Sequence, residues 1–311
     1  SLTTAPLYGE RLIVYYYPAS GKRRGLPWRL STITTALLSA VGEELPLPNG
    51  NHSGSGGAPW FIVKGLECAE STVLHPEVER IARSELMLVV RGKAFCSGTL
   101  LNNSRQDGDA LVLTAAHCLN ANYSCRNLKY VRQSAEQTLF YFNYFSPTGD
   151  PLINGIEEQT LAGAELLAYN EEHDMCLLRI TGVRPDVPQG KCAIPPSYRP
   201  YFAGWNANRN FPAPVIGIHH PQASVRRYNR ADEKPTLESY EISSLPIRWI
   251  DAHLYIKKWN AGTTAPGSSG SGLFDKNHHL IGALSGGNSY CHAPYQDYYY
   301  ALSEVFTGYP D

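Results

Sequence analysis

The chain has almost no excess charge of either sign, very little methionine and no long apolar run. Its 27 lysines and arginines are balanced by 28 acidic residues, for a formal net charge of −1. A nucleic acid or an anionic membrane surface is therefore not indicated as a partner. No stretch approaches the roughly 18 apolar residues of a membrane span, and no internal repeat is visible. The chain begins at Ser1 rather than Met, as expected if an export signal has been removed.

The abundant residues favour β structure. Glycine (27), proline (22) and tyrosine (20) are plentiful in a chain of 311 residues that is 43% hydrophobic, enough for one or two cores. Short strand-like runs separated by turns are typical of sandwiches or barrels. The predicted strands are Leu86–Val90, Ala94–Leu101, Ala110–Thr114, Leu139–Phe145, Met175–Ile180, Val215–His219, Leu254–Lys258, Gly272–Phe274, Leu280–Leu284 and Tyr298–Leu302.

A run of glycines and serines at Pro266–Gly272 suits a serine nucleophile. Small residues allow a tight turn that exposes an Oγ while nearby amides point at a developing oxyanion. Ser269 is the candidate nucleophile, and the amides of Gly267 and Ser269 are the candidate oxyanion hole. Taken alone, such a run is more often a turn or a linker.

Two further motifs strengthen that interpretation. His117 directly follows the predicted strand Ala110–Thr114, where a fixed general base fits, although a buried structural histidine is the alternative. Asp174 begins an apolar strand, and a buried acid is costly unless it has a partner such as a catalytic histidine. Asp107 and Asp109 lie in a polar turn and are poorer candidates for the third role.

The order His, Asp, Ser in Thr-Ala-Ala-His-Cys, Asp-x-x-Leu-Leu and Gly-x-Ser-Gly resembles the chymotrypsin-type serine peptidases. From about Gly65 to the C-terminus the chain is more narrowly similar to the bacterial lysyl endopeptidases. The motifs that carry this likeness are Phe95–Asn103, Phe202–Trp205, Ile218–Pro221, Pro266–Ser271, Leu280–Gly282 and Gly286–Cys291.

The resemblance implies an all-β fold of two antiparallel six-stranded β-barrels with the catalytic residues in the cleft between them. We expect the first barrel at 65–190, the second at 191–311, and a crossover near 185–200. Residues 1–64 do not match the family. They are either the tail of a pro-region or an ordinary N-terminal extension, and the basic turn at 22–24 is open to proteolysis.

The seven cysteines favour an oxidising compartment with one thiol left over. The resemblance implies disulfides Cys96–Cys118 and Cys68–Cys291. Cys125 matches one half of a further family bridge whose usual partner is missing, and Cys192 is a substitute candidate. Cys176 is expected to be a buried free thiol.

Substrate selection is expected in the segment after the serine. By resemblance, Asp297 forms the floor of the primary pocket, where a buried carboxylate would select a cationic side chain; the alternative is a turn acid. Gly286 is expected to line the pocket, and Trp205 matches a family tryptophan at its mouth. A family histidine at the mouth is replaced by Ser285, so arginine is expected to be accepted beside lysine.

Two absences narrow the chemistry. Trypsin-like zymogens commonly activate when a new N-terminal amine pairs with an aspartate just before the serine. That residue is Ser268 here, so a pre-formed pocket is expected. The doublets at 219–220 and 278–279 lack the ligand spacing of zinc sites and are interpreted as structural or surface histidines. No metal or cofactor is expected.

The sequence therefore predicts a secreted, monomeric serine endopeptidase that cuts proteins or peptides after Lys or Arg through an acyl-enzyme. Two alternatives remain open at this level. One is a protease-like binding module without activity. The other is an active peptidase with non-basic specificity, which requires Asp297 to point away from the pocket.

Overall fold

The computed structural model describes residues 68–120, 127–150, 153, 155–181, 194–241 and 248–307. The predicted N-terminal extension, Cys125, Cys192 and most of the crossover lie outside these ranges. The strands are β1 Glu70–Ser71, β2 Glu85–Val90, β3 Ala94–Leu101, β4 Leu111–Ala115, β5 Thr138–Tyr141, β6 Thr160–Ala162, β7 Ala164–Asn170, β8 Met175–Ile180, β9 Val215–His219, β10 Arg227–Ala231, β11 Thr236–Glu241, β12 Arg248–Lys258, β13 Gly272–Phe274, β14 Leu280–Gly287 and β15 Tyr295–Ala301.

Helices are few and short. The α-helices are α1 Glu79–Ala82, α2 Ala116–Leu119, α3 Leu128–Glu136 and α4 Leu302–Thr307, and the 3-10 turns are Thr72–Leu74, Pro76–Val78, Pro196–Tyr198 and Pro221–Ala223. In the described part of the chain, no helix has the length and apolar character needed to cross a bilayer.

The first sheet has seven antiparallel strands in the order β6-β5-β2-β3-β4-β8-β7. Its two edge strands, β6 and β7, are separated in the chain only by Gly163, which has a φ of +83°. Because the outermost strands meet at a single residue, the sheet must curl back on itself.

The second sheet has eight strands in the order β1-β10-β9-β13-β14-β15-β12-β11. It curls as well, because β10 near one edge connects to β11 at the other through residues 232–235 alone. β1 belongs to this sheet, since Glu70 and Ser71 pair with Tyr228 and Arg227. The first residues of the predicted first barrel therefore join the second.

Four apolar clusters hold the sheets. Strand β2 is buried along its whole length because its alternate residues face two of them. Leu86 and Leu88 point into the first sheet's core, whereas Met87 and Val89 belong to a small cluster with Val225. A third cluster fills the second sheet. The fourth is shared between the sheets and is built from residues such as Leu113, Met175, Ile218, Phe274, Leu280 and Tyr300.

The all-β prediction is confirmed, and all ten predicted strands exist. β3, β8, β9 and β13 match to the residue. The strand counts are seven and eight rather than six and six. Strands β1, β6, β7, β10 and β11 were not predicted. β10 has no alternation of apolar and polar residues that would predict a strand, because two of its buried residues, Arg227 and Asn229, are polar.

Candidate active site

His117 and Asp174 are brought together by the pairing of β4 with β8. Ala115 at the end of β4 lies opposite Met175 at the start of β8. The residue after Ala115 donates its amide to the Asp174 carbonyl over 2.8 Å, and His117 is the next residue, in the first turn of α2. Two residues 57 positions apart therefore occupy neighbouring strand ends.

The imidazole of His117 donates from Nδ1 to the Asp174 carboxylate, at 2.9 Å to Oδ2 and 3.1 Å to Oδ1. The backbone amide of His117 donates to the same Oδ1 over 3.0 Å. Burial lowers the pKa of His117, but the charge and hydrogen bond of Asp174 raise it more, so that the pKa lies above its usual value. Asp174 is fully buried, with a φ of +55°, a region sparsely used by residues other than glycine.

The disulfide Cys96–Cys118 fixes the turn that carries the histidine, because it ties α2 to β3. In the described ranges, Cys96, His117 and Cys118 form the one group whose donor atoms lie close enough to share a metal ion. Both thiols are committed to the disulfide, so neither is available as a thiolate ligand. Cys176 is free and buried.

The turn that carries Ser269 is seated against the first sheet. The carbonyl of Ser269 accepts from the amide of Ser97 over 2.8 Å. A Cβ on Gly270 would lie 2.2 Å from Thr114 Oγ1 and 2.8 Å from the amide of Ala115, so only glycine allows this approach. The serine is therefore held beside the end of β4, from which His117 emerges, and it remains partly exposed.

Two amides of this turn are available to a ligand. The amides of Ser268, Gly270 and Ser271 donate to Ala265, Leu284 and Ser268 carbonyls at 2.8–3.0 Å. Among the described residues, the amides of Gly267 and Ser269 have no acceptor. A pair of unused N–H groups flanking a serine is the arrangement that stabilises an oxyanion.

Asp297 lies in β15, opposite Gly287 of β14, and is fully buried. Its Oδ2 accepts from Trp259 Nε1 at 2.5 Å and from Thr264 Oγ1 at 2.9 Å. Its Oδ1 makes no hydrogen bond of good geometry among the described residues, although the amide and hydroxyl of Ser289 lie close enough to the carboxyl to favour its charged form. Burial raises the pKa of Asp297 to about 7, against the opposing effect of its hydrogen bonds.

The carboxylate and the serine turn are joined through β14. The amide of Gly270 donates to the carbonyl of Leu284 over 2.8 Å, and Gly287, the partner of Asp297, lies three residues further along. At a rise of ~3.3 Å per residue, that separation is about 10 Å. A Cβ on Gly287 would lie 2.2 Å from Asp297 Oδ1, so only glycine lets the backbone of β14 lie this close to the carboxylate. The predicted disulfide Cys68–Cys291 is present just beyond β14.

Trp205 and Ser285 occupy places different from those expected. Trp205 bridges to Leu280, at the opposite end of β14 from Gly287, which is about 20 Å along the strand. There it stacks on Phe306, with ring centroids 5.0 Å apart. The Ser285 side chain is buried, with Oγ 2.9 Å from His253 Nε2. The structure therefore does not bring Trp205 to Asp297, and the hydroxyl of Ser285 faces the interior.

The aromatic residue beside Gly286 is Tyr240, which the sequence motifs did not single out. Its ring stacks on Tyr298 at 4.3 Å, and a Cβ on Gly286 would lie 2.6 Å from its hydroxyl. His253 packs at 5.4 Å from the Tyr240 ring, and burial lowers its pKa to about 3 against the nearby charge of Asp174. No local sequence motif marks either residue, because its position in the site depends on neighbours in other strands.

Both histidines of the first doublet are buried, so they are structural rather than surface residues. His219 Nδ1 lies 2.8 Å from Ser268 Oγ, and His220 Nδ1 lies 3.0 Å from the Ser224 carbonyl. In the second doublet His279 is exposed, 3.8 Å from Asp275.

A family model described as the lysyl endopeptidase C-terminal domain matches residues 64–300. A lysyl endopeptidase of Pseudomonas aeruginosa is 28% identical over 232 residues, which cover 70% of this chain and 43% of that protein. The chain thus spans less than half the length of this curated relative.

Solved structures are more distant. The active form of the Rv3671c protease from M. tuberculosis has a TM-score of 0.47 at 15% identity, covering 85% of this chain and 92% of that one. A Glu endopeptidase in complex with MPD also has a TM-score of 0.47 at 15% identity, covering 77% of this chain and 94% of the other. Likenesses at this level carry no information about substrate.

Proposed function

Because the chain belongs to the lysyl endopeptidase C-terminal domain family, we propose that it is a serine endopeptidase that cleaves peptide bonds after lysine or arginine. The observation that carries the proposal is a buried carboxylate, Asp297, joined through one strand to a serine turn with two unused amides. A binding module without activity would not require this combination.

We assign the three residues the roles of an acyl-transfer triad. Ser269 attacks the scissile carbonyl while His117 takes its proton and later delivers it to the leaving amine. Asp174 holds the imidazole through Nδ1 and stabilises its charged form. The amides of Gly267 and Ser269 receive the oxyanion, and water then attacks the acyl-enzyme by the same route.

Asp297 supplies the selection of a cationic side chain. Trp259 and Thr264 both bond Oδ2, and Oδ1 is the oxygen that we assign to the cation of the substrate. A raised pKa means that the carboxyl becomes charged only near neutral pH in the free enzyme. A bound ammonium or guanidinium lowers that pKa, because an opposite charge favours the ionised form. Since the Ser285 hydroxyl faces inward and Trp205 lies elsewhere, the contacts at Asp297 dominate, and we expect lysine and arginine to differ by less than about tenfold in kcat/KM.

The proposed enzyme is secreted and monomeric, acts on proteins or peptides, and needs no cofactor. Two disulfides joining distant segments favour an oxidising compartment.

A matched panel of peptide amides tests the proposal. The peptides differ only in the residue before the cleaved bond (Lys, Arg, Gln or Leu), and each is incubated with wild-type protein and with Ser269→Ala. Cleavage after Lys and Arg that an irreversible serine-directed inhibitor abolishes is the expected result. Cleavage after Leu or Gln instead would refute the cationic pocket, and no cleavage of any peptide would refute the activity.

A further inference from the structure

The candidate oxyanion turn has a side-chain anchor that the reaction scheme above does not use. Ser268 precedes the proposed nucleophile and is fully buried. Its hydroxyl accepts from the amide of Ala265 over 3.2 Å and lies 2.8 Å from Nδ1 of His219. Because the hydroxyl already accepts from that amide, its proton is free to be donated to the ring nitrogen.

The turn needs such an anchor because its own residues do not fix it. Gly267 adopts a φ of +96°, and glycine permits both signs of φ at little cost. The two unused amides belong to the Pro266–Gly267 and Ser268–Ser269 peptide units, whose carbonyls accept from the amides of Gln222, at 2.6 Å, and Ser271, at 3.0 Å. The Gly267 carbonyl between them accepts from Ser97 Oγ at 3.0 Å. The turn also meets the second sheet through the bond from the Gly270 amide to the Leu284 carbonyl, and the Ser268 side chain, which lies between the two unused amides, adds a tie to β9.

His219 is buried and stays uncharged. It ends β9, opposite Arg227 of β10, and both side chains are buried. Burial and the charge of Arg227 lower the pKa of His219 to about 3. The ring is therefore neutral across the pH range in which the enzyme works, and its bond to Ser268 does not depend on a titrating group.

We infer that His219 is a positioning residue: through Ser268 it fixes the turn in the conformation that presents the Gly267 and Ser269 amides. A neutral His–Ser pair thus occupies the place where trypsin-like zymogens form an ion pair with a new N-terminal amine. The inference rests on the proposed function, and it makes the oxyanion turn independent of N-terminal processing.

Steady-state kinetics on the full chain provide the first test. Ser268→Ala and His219→Leu are compared with wild type on one lysyl peptide amide, together with two inhibitors. A peptide aldehyde places an oxyanion at the turn, whereas benzamidine places only a cation in the pocket. We expect kcat and aldehyde affinity to fall together by about 10- to 100-fold, less than for deletion of a donor because the amides are displaced and not removed. KM and benzamidine affinity should stay within about twofold.

Two further variants separate positioning from general damage. His219→Asn places an amide oxygen near the position of Nδ1 and should restore kcat to within about fivefold of wild type. Ser271→Ala is the matched control, because Ser271 is a buried serine of the same turn whose hydroxyl interacts with Tyr299 and not with His219; its kcat should be nearly unchanged. Equal losses in Ser268→Ala and Ser271→Ala, or equal weakening of aldehyde and benzamidine, would overturn the inference.

Hydrogen–deuterium exchange tests the positioning role of His219 without relying on catalytic activity. Amides of 265–271 should exchange faster in Ser268→Ala and His219→Leu than in wild type or Ser271→Ala. Unchanged exchange in both variants would overturn the positioning role whatever the kinetics show. If wild type cleaves no peptide but the turn still loosens, the proposed activity fails and the anchor stands.

Discussion

Replacing Asp297 by asparagine should stabilise the folded protein at alkaline pH while it removes activity on cationic substrates. Burial raises the pKa of Asp297 from 3.8 to about 7. Ionising this group in the folded protein therefore costs about 4 kcal/mol more than in the unfolded chain, at about 1.4 kcal/mol per tenfold change in equilibrium. The asparagine side chain has nearly the same shape and never ionises.

The sign follows from proton counting. Between pH 3.8 and about 7 the carboxyl is ionised in the unfolded chain but protonated in the folded protein. The unfolded state then binds fewer protons, so stability falls as pH rises. The loss begins near pH 4 and is complete above pH 7. The Asp297→Asn variant does not undergo this loss of stability, because asparagine does not ionise. Its free energy of unfolding relative to wild type should therefore rise by about 4 kcal/mol between pH 4 and pH 8.5.

Urea unfolding at pH 4, 6 and 8.5 measures this difference, with both proteins carrying Ser269→Ala to prevent self-digestion. If the amide group also changes the stability by an amount that does not depend on pH, that amount is the same at all three pH values and does not affect the predicted change.

With Ser269 restored, kcat/KM for Lys and Arg substrates at pH 8.5 should fall by about 10²- to 10³-fold in Asp297→Asn, since one partner of a buried ion pair is lost. A stability difference that does not change with pH, or that grows in favour of wild type, would refute the reasoning. It would mean that Asp297 is already charged and paired in the folded protein.

Three further predictions concern the serine turn and the histidine. Ser269→Ala should reduce kcat by about 10⁶-fold with an unchanged circular dichroism spectrum; turnover near wild type in a clean preparation would exclude it as the nucleophile. The acid limb of kcat, which unlike that of kcat/KM does not report Asp297 of the free enzyme, should lie above pH 6.5, because Asp174 raises the pKa of His117 and the base must be neutral; a limb at or below 6.5 would contradict the observed pair. Gly270→Ala should destabilise the fold by about 2–4 kcal/mol in urea unfolding, because the new Cβ would lie 2.2 Å from Thr114 Oγ1 at a φ of +82°; a loss below about 0.5 kcal/mol would show that the turn can move away from β4.

Local chemistry explains what could be predicted from the sequence. Strands such as β3, β8, β9 and β13 were found to the residue because each is a short run bounded by turn residues. The pairing of His117 with Asp174 could be anticipated because each follows or begins a buried strand, and a buried acid there requires a partner. The serine turn was visible because few residues other than glycine tolerate its backbone.

The resemblance to the family predicted the positions of some residues correctly and those of others incorrectly. Both expected disulfides are present, and Asp297 is buried in the second sheet. Trp205 was matched through its short motif, but that motif fixes only the strand-like run around it and not the end of β14 at which it lies. The role expected of Ser285 changed for the same reason, since the direction of its hydroxyl depends on His253, a residue 32 positions away.

The sequence by itself determined the strand segments, the order of the reactive residues and the glycines of the serine turn, because these depend on neighbours within a few positions. Only the tertiary structure decided which aromatic ring, Tyr240, lies beside Gly286, and that His219 anchors Ser268. It also decided the ionisation of Asp297. Each of these depends on strands paired across long sequence separations and on removal from water, and neither the pairing nor the burial is encoded in any single short segment.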